Sequence, residues 1–156
     1  MNLYGVLTGC QLVLPEMVAR RGGHIINIAS LSGLIPVPGQ AVYVGAKFGV
    51  VGLSAALGDE VAPYGVDVSV VMPPFTNTEL ISGTKSGGAI KPVEPEDIAA
   101  AIVKTLDKPK THVSVPTPLR FTAQAAQMLG PRGRRRLKLN RLYATKLGRR
   151  VRIRDV

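Results

Sequence analysis

Cysteine is almost missing from this sequence. Cys10 is the only one in 156 residues, so no internal disulfide can form and nothing calls for an oxidising compartment. A reducing cytoplasm is the expected location. Long apolar runs are lacking as well: no stretch approaches the about eighteen uninterrupted apolar residues that a membrane-spanning helix needs. The segment "NLYGVLTGCQLVL" ends an apolar run on Gly9-Cys10 near Met1, in the manner of a lipoprotein leader. No positive residue precedes that run and the run is short, so it is not read as a targeting peptide. Clusters with metal-ligand spacing are absent. His24 and His112 have no cysteine or carboxylate partners at such spacing, which makes them structural and leaves no metal expected. No G-x-G-x-x-G turn occurs anywhere, and no internal repeat or low-complexity tract lies outside the C-terminal region.

Acidic residues are scarce at one end only. Of the 20 Lys and Arg, eleven fall in residues 132–156 beside a single acid, Asp155, and that stretch carries the whole net charge of +10. The first 131 residues balance nine bases against nine acids. The chain is therefore a neutral body with a basic C-terminal tail, and each is interpreted separately. With 46% hydrophobic residues the body can bury a core of single-domain size.

Along the body, helical and extended patterns alternate. Residues 2–21 show helical apolar spacing and finish on Arg20-Arg21-Gly22-Gly23, basic residues followed by a glycine stop. "HIINIAS" is a short β-branched run expected as a buried strand. The Gly/Pro-punctuated loop "LSGLIPVPGQ" leads to a helix over residues 41–62, closed by Pro63 and Gly65. "VDVSVVMP" is the next strand, and residues 74–93 form a long polar, glycine-containing stretch of the kind that is usually functional. "PEDIAAAIVKTLDK" opens with Pro95 and acids in its first turn, and "THVSVP" is a last short strand. This alternation predicts an α/β fold with a parallel sheet and crossover helices.

One helix carries an unusual pair. In "AVYVGAKFGVVGL" Tyr43 and Lys47 lie four residues apart among small apolar residues, and Tyr43 follows Ser30 by thirteen positions. Together with Asn2 in "NLYG", the strand "HIINIAS" and "MPPFTNTE" after the next strand, these residues resemble the C-terminal half of a classical short-chain dehydrogenase/reductase, from the first residue to about Pro116. The resemblance implies a Rossmann-like doubly wound parallel sheet, of which this chain is the second half (residues 1–116), followed by a basic amphipathic extension (residues 117–156).

The chemistry gives a reason for the pair. Hydride exchange between a carbinol carbon and a nicotinamide requires a proton to move on or off the neighbouring oxygen. A phenol with a pKa of about 10 is poorly poised for that at neutral pH. A lysine at i+4 shares its helix face, and the positive charge favours the phenolate. Tyr43 is thus expected as acid/base and Lys47 as its tuner. By resemblance, Lys47 also binds the nicotinamide ribose, Ser30 orients the substrate oxygen, and Asn2 holds a water in a proton relay. Pro73, Phe75 and Thr78 join Tyr43 and Lys47 as the expected cofactor contacts. The cofactor is NAD or NADP, and the substrate an alcohol or ketone, apolar to judge from the aliphatic loop. Each residue also has a plainer reading. Tyr43 and Lys47 could be a packed tyrosine and a surface lysine, Asn2 a helix cap, and Ser32 competes with Ser30.

The family's own Thr-Gly-x-x-x-Gly-x-Gly turn, which would hold the cofactor pyrophosphate, is not in the sequence, and "MPPF" replaces the usual Pro-Gly with Pro73-Pro74. The chain is accordingly expected to be a truncated enzyme starting at an internal or misassigned methionine, with poor solubility from an uncovered sheet edge. Helices 2–21 and 41–62 resemble the family's dimer helices and are expected to form a homo-oligomer. In the extension, Leu119, Thr122, Ala123, Ala126 and Leu129 lie at helical spacing, and Leu139, Leu142, Tyr143 and Leu147 repeat this on a basic background, which suits peripheral contact with an anionic membrane; a solvated basic extension is the plainer reading. Nucleic acid is not expected, since Tyr143 is the tail's one stacking residue. The rival to an oxidoreductase is a non-catalytic remnant that binds partners through those helices or the tail.

Overall fold

A computed structural model of the chain describes residues 2–77 and 92–136. The elements run α1 (Tyr4–Ala19), β1 (Gly23–Ile28), α2 (Ala41–Val61), β2 (Val66–Met72), α3 (Pro95–Asp107), β3 (His112–Ser114), α4 (Pro118–Met128) and α5 (Pro131–Arg136). Short 3-10 turns at Leu31–Gly33 and Ala62–Tyr64 follow β1 and α2. The strands form a parallel sheet in the order β1-β2-β3, with Ile25 opposite Val68 and Val71 opposite Val113. This is the α/β parallel architecture that the alternation predicts.

Hydrophobicity explains why β2 is central. Val66, Val68, Val70 and Met72 alternate onto one face and are buried, and Ser69 and Val71 of the other face are buried too. Such a strand is covered on both sides, as in doubly wound sheets. On one face Cys10, Ile25, Val61, Val66 and Val68 pack together beside α1. A second cluster gathers Ala29, Leu31, Leu34, Ile35, Val37, Val50, Val70 and Met72 near the carboxyl ends of the strands.

α4 belongs to this second cluster. It opens the stretch expected as an extension, yet its Ala123 and Ala126 are buried against the core and Leu119 packs beside them. Small residues on one helical stripe permit that close approach. Gly130-Pro131 separates α4 from α5. Residues 137–156, the site of the expected membrane-facing helix, lie outside the described residues.

Two details depart from the sequence reading. The glycine stop after α1 is instead made by Arg21, which takes the left-handed position (φ 52°). Gly22 N–H then donates to Met17 O at 3.0 Å and Arg21 N–H to Val18 O at 3.1 Å, the double bond of a Schellman cap. The Arg21 guanidinium donates to Pro63 O at 2.9 Å, which ties this turn to the end of α2. Secondly, Ala41–Tyr64 is long and apolar enough by composition to cross a membrane, which the criterion of uninterrupted runs misses. Its buried residues Lys47, Val50, Ser54 and Val61 form one stripe, and bonds from Lys47 and to Ser54 tie it to β1.

Candidate active site

β1 and β2 end side by side, and the chain segments beyond them are stitched together. Ala29 N–H donates to Val71 O at 2.8 Å, and Leu31 N–H to Pro73 O at 3.0 Å. Ser30 sits between those bonds at the carboxyl edge of the sheet, where open α/β sheets bind their ligands. Its backbone is extended, and its Oγ accepts from Ser32 N–H at 3.1 Å, which caps the following 3-10 turn. The hydroxyl proton points to Pro73 O at 3.5 Å, the limit of a hydrogen bond. Ser32 therefore serves Ser30 through its backbone.

α2 brings up the other half of the constellation. Lys47 is 8% exposed and Tyr43 37% exposed. Lys47 Nζ donates to Ile28 O at 3.1 Å and lies 5.7 Å from the centroid of the Tyr43 ring, within cation–π reach. Burial holds the Lys47 ammonium below the ordinary lysine range. An ammonium has three protons. One is spent on β1, and among the described residues the others remain to serve a hydroxyl or a phenolate oxygen. The close approach of α2 to the strand end is made possible by Gly33: a Cβ there would meet Lys47 O at 2.7 Å.

Asn2 is exposed and precedes α1. The helix cap is Leu3, and no side chain caps it, so the alternative reading of Asn2 as a cap fails. Leu3 rests on α2 at Gly49, where an added Cβ would meet Leu3 Cδ2 at 3.0 Å. That contact packs the start of α1 on α2, and no hydrogen bond among the described residues joins Asn2 to Ser30, Tyr43 or Lys47. Past Pro73, Phe75 O accepts from Val93 N–H and Asn77 N–H donates to Val93 O, both at 2.9 Å. The ends of the long segment are thereby clamped together. Thr78 lies outside the described residues.

A buried polar group escaped the sequence reading. Asn27 of β1 donates from Nδ2 to Ser54 Oγ at 2.9 Å and touches Cys10 Sγ at 3.7 Å, while Ser54 donates to Val50 O at 2.7 Å. It locks β1 to α2 two turns beyond Lys47. The signal was an amide at an inward position of "HIINI", where an apolar residue is the rule. His24 Nε2 is 2.7 Å from Ser69 Oγ, a structural bond as expected. His112 is held below the ordinary histidine range by burial and by Arg120. Among the described residues no three His, Cys, Asp or Glu could hold a metal.

Comparison with known proteins identifies the family of the chain. The family described as short chain dehydrogenase matches residues 1–87. Carbonyl reductase family member 4 of Xenopus tropicalis is 34% identical over 114 residues, 69% of this chain and 48% of its own length. The 3-ketodihydrosphingosine reductase of Dictyostelium discoideum is 30% identical over 145 residues, 84% of this chain and 42% of the relative. Among solved structures, 4-hydroxyisoleucine dehydrogenase complexed with NADH superimposes with a TM-score of 0.63 at 27% identity, over 72% of this chain and 53% of that one. The chain thus spans about half the length of the curated relatives it matches. It belongs to the short-chain dehydrogenase family.

Proposed function

We propose that this chain carries the catalytic half of an NAD(P)-dependent oxidoreductase that interconverts an alcohol and a carbonyl. One observation supports this most: a buried ammonium, anchored on Ile28 O, faces a half-exposed phenol one helical turn away. When bound, the nicotinamide supplies or accepts the hydride. Tyr43 supplies the matching proton: in reduction its hydroxyl protonates the oxygen that the hydride leaves negative, and in oxidation the phenolate takes that proton back. Lys47 stabilises the phenolate by its charge. Ser30 donates to the same substrate oxygen and fixes its direction.

The residues present fit the nicotinamide end of such a cofactor. The uncommitted Lys47 protons suit the ribose hydroxyls. Pro73 and Phe75, beyond the end of β2, would line the nicotinamide with Tyr43, and Thr78 is retained as a contact from sequence. Asn2 is proposed to hold a relay water. Relatives whose names include a carbonyl reductase and a 3-ketodihydrosphingosine reductase support a ketone as substrate, and the aliphatic "LSGLIPVPG" loop supports an apolar one. Cytoplasmic residence fits a single buried thiol. Peripheral membrane contact by residues 137–156 stays a proposal from sequence.

A second reading is favoured by the surfaces of α1 and α2. Tyr4, Leu12 and Val42 are strongly exposed, so the same chain could act by self-association or partner binding alone. Turnover separates the two. Oxidation of NADH or NADPH is followed with a panel of ketones, beside saturation-transfer NMR of nicotinamide mononucleotide. The oxidoreductase reading expects Tyr43→Phe to abolish turnover while mononucleotide binding persists, and Lys47→Ala to impair both. Unchanged turnover in Tyr43→Phe defeats it.

A further inference from the structure

A cleft of about 520 Å³ opens where the loop before α2, the first half of α2 and α5 converge. Its size falls in the range of about 300–1,000 Å³ typical of small-molecule sites. Val37, Pro38, Val44 and Phe48 give it apolar walls, Gly45 adds a surface without a side chain, and Arg134 and Arg135 stand over it. No acidic residue lines it.

The cleft is separate from the catalytic face. Val44 and Phe48 repeat the four-residue spacing of Tyr43 and Lys47 one position later, which turns them about 100° around α2. A ligand here would lie beside the helix that carries the catalytic pair and not on its reacting side.

The two arginines are arranged for an anion. Arg134 Nη1 donates to Gln127 O at 3.2 Å and to Leu129 O at 2.8 Å, which satisfies carbonyls at the end of α4 and fixes the guanidinium. A guanidinium has five N–H donors, so Nε and Nη2 stay uncommitted among the described residues. Arg135 is exposed, and among the described residues the one ion pair is Arg20 with Glu16. Two adjacent positive charges thus border an apolar cleft with no internal counter-charge. A bare inorganic anion would leave the walls wet, and a neutral hydrocarbon would leave the guanidinium donors unused.

We infer that this cleft binds a single-chain anionic amphiphile, its alkyl chain against Val37, Val44 and Phe48 and its carboxylate or phosphate head on Arg134 and Arg135. The inference does not require the oxidoreductase reading.

The test titrates the full chain with octanoate, octyl phosphate and 1-octanol, with affinity read by calorimetry and position by amide chemical shifts. Both anions are expected to bind about tenfold tighter than the alcohol, the scale of hydrogen bonds to charged groups, with shifts centred on residues 44–48. The tighter of the two identifies a carboxylate or a phosphate head. Arg135→Gln, on the exposed rim, is expected to remove that tenfold preference and leave octanol binding unchanged. Gly45→Leu is expected to abolish binding of all three with the circular dichroism unchanged, because a Cβ at Gly45 meets nothing within 4 Å and the rest of the side chain fills the cleft. Equal affinity for octanol and octanoate, wild-type binding by Gly45→Leu, or shifts elsewhere would each overturn the assignment. So would absent binding combined with a changed sedimentation coefficient in Gly45→Leu, which would mark the cleft as an interface with a second copy.

Discussion

Lys47 Nζ donates to Ile28 O at 3.1 Å, joining the middle of α2 to the last residue of β1. The bond holds the ammonium at a fixed height above the sheet, and Tyr43 one turn earlier inherits that position. Removing the phenolic oxygen should therefore cost catalysis without costing structure. Tyr43→Phe is expected to lower turnover by at least about 10²-fold, the lower end of what a positioned acid/base contributes. Its thermal stability should stay within about 0.5 kcal/mol of wild type, as for other partly exposed sites. Steady-state kinetics and a thermal melt on one preparation check both halves.

Burial of Lys47 also gives stability a pH dependence of definite sign. Its pKa in the folded protein lies below the ordinary lysine value of 10.5. Between the lowered value and 10.5 the unfolded chain binds more protons than the folded one, so stability rises with pH across that window. Urea unfolding from pH 7 upward should show wild type gaining stability relative to Lys47→Met as the window is entered. A pH-independent difference between the two would contradict the burial of the ammonium.

Asn27 and Ser54 should behave as a unit. Ser54→Ala removes the 2.9 Å partner of Asn27 Nδ2 and leaves a buried amide with the thiol of Cys10 alone. A loss of about 1–3 kcal/mol is expected from the unpaired group. Replacing both residues by apolar ones, Asn27→Val with Ser54→Ala, should cost less than the sum of the single changes. Denaturant titrations of the four proteins in the cycle measure the coupling.

Gly65 is constrained twice. Its φ is 73°, and a Cβ would approach Arg21 O to 2.8 Å. The left-handed conformation alone costs a non-glycine residue about 1–2 kcal/mol, and the contact adds to it because the obstacle is backbone. Gly65→Ala is expected to lower stability by at least that amount, read from a denaturant midpoint. Gly39→Ala is the control: its φ is 84° with nothing within 4 Å, so it should show the conformational cost without the clash.

How much of this could be read in advance depends on what each residue answers to. β1, β2 and α2 were legible because their signals are local: β-branched runs, and a helix bounded by Gly/Pro punctuation. The juxtaposition of Tyr43 and Lys47 was legible through spacing, since i+4 on a helix guarantees a shared face, whereas Ser30 was singled out by the family resemblance. The Lys47 bond to Ile28 was not, because a carbonyl oxygen has no sequence signature. Arg21 hid its left-handed turn behind two glycines, and its bond to Pro63, 42 positions away, has no local signature. The helical spacing of Leu119, Ala123 and Ala126 was legible in α4, but its docking on the core was not, because an apolar stripe does not name the surface that covers it.

The register of β1 against β2 sets one further condition. Successive residues of a strand present opposite faces, so a slip by one residue reverses every side chain. Ile28 is aligned with Val71, and from that alignment follow both the stitch of Leu31 to Pro73 and the acceptor that receives Lys47. A slipped sheet could retain its strand count and much of its apolar burial while delivering Ser30 and Lys47 to different places. The pairing of two apolar strands thus works as a gauge for the placement of polar atoms, and a protein that misaligned it would look folded to circular dichroism while Lys47 lost its acceptor on Ile28.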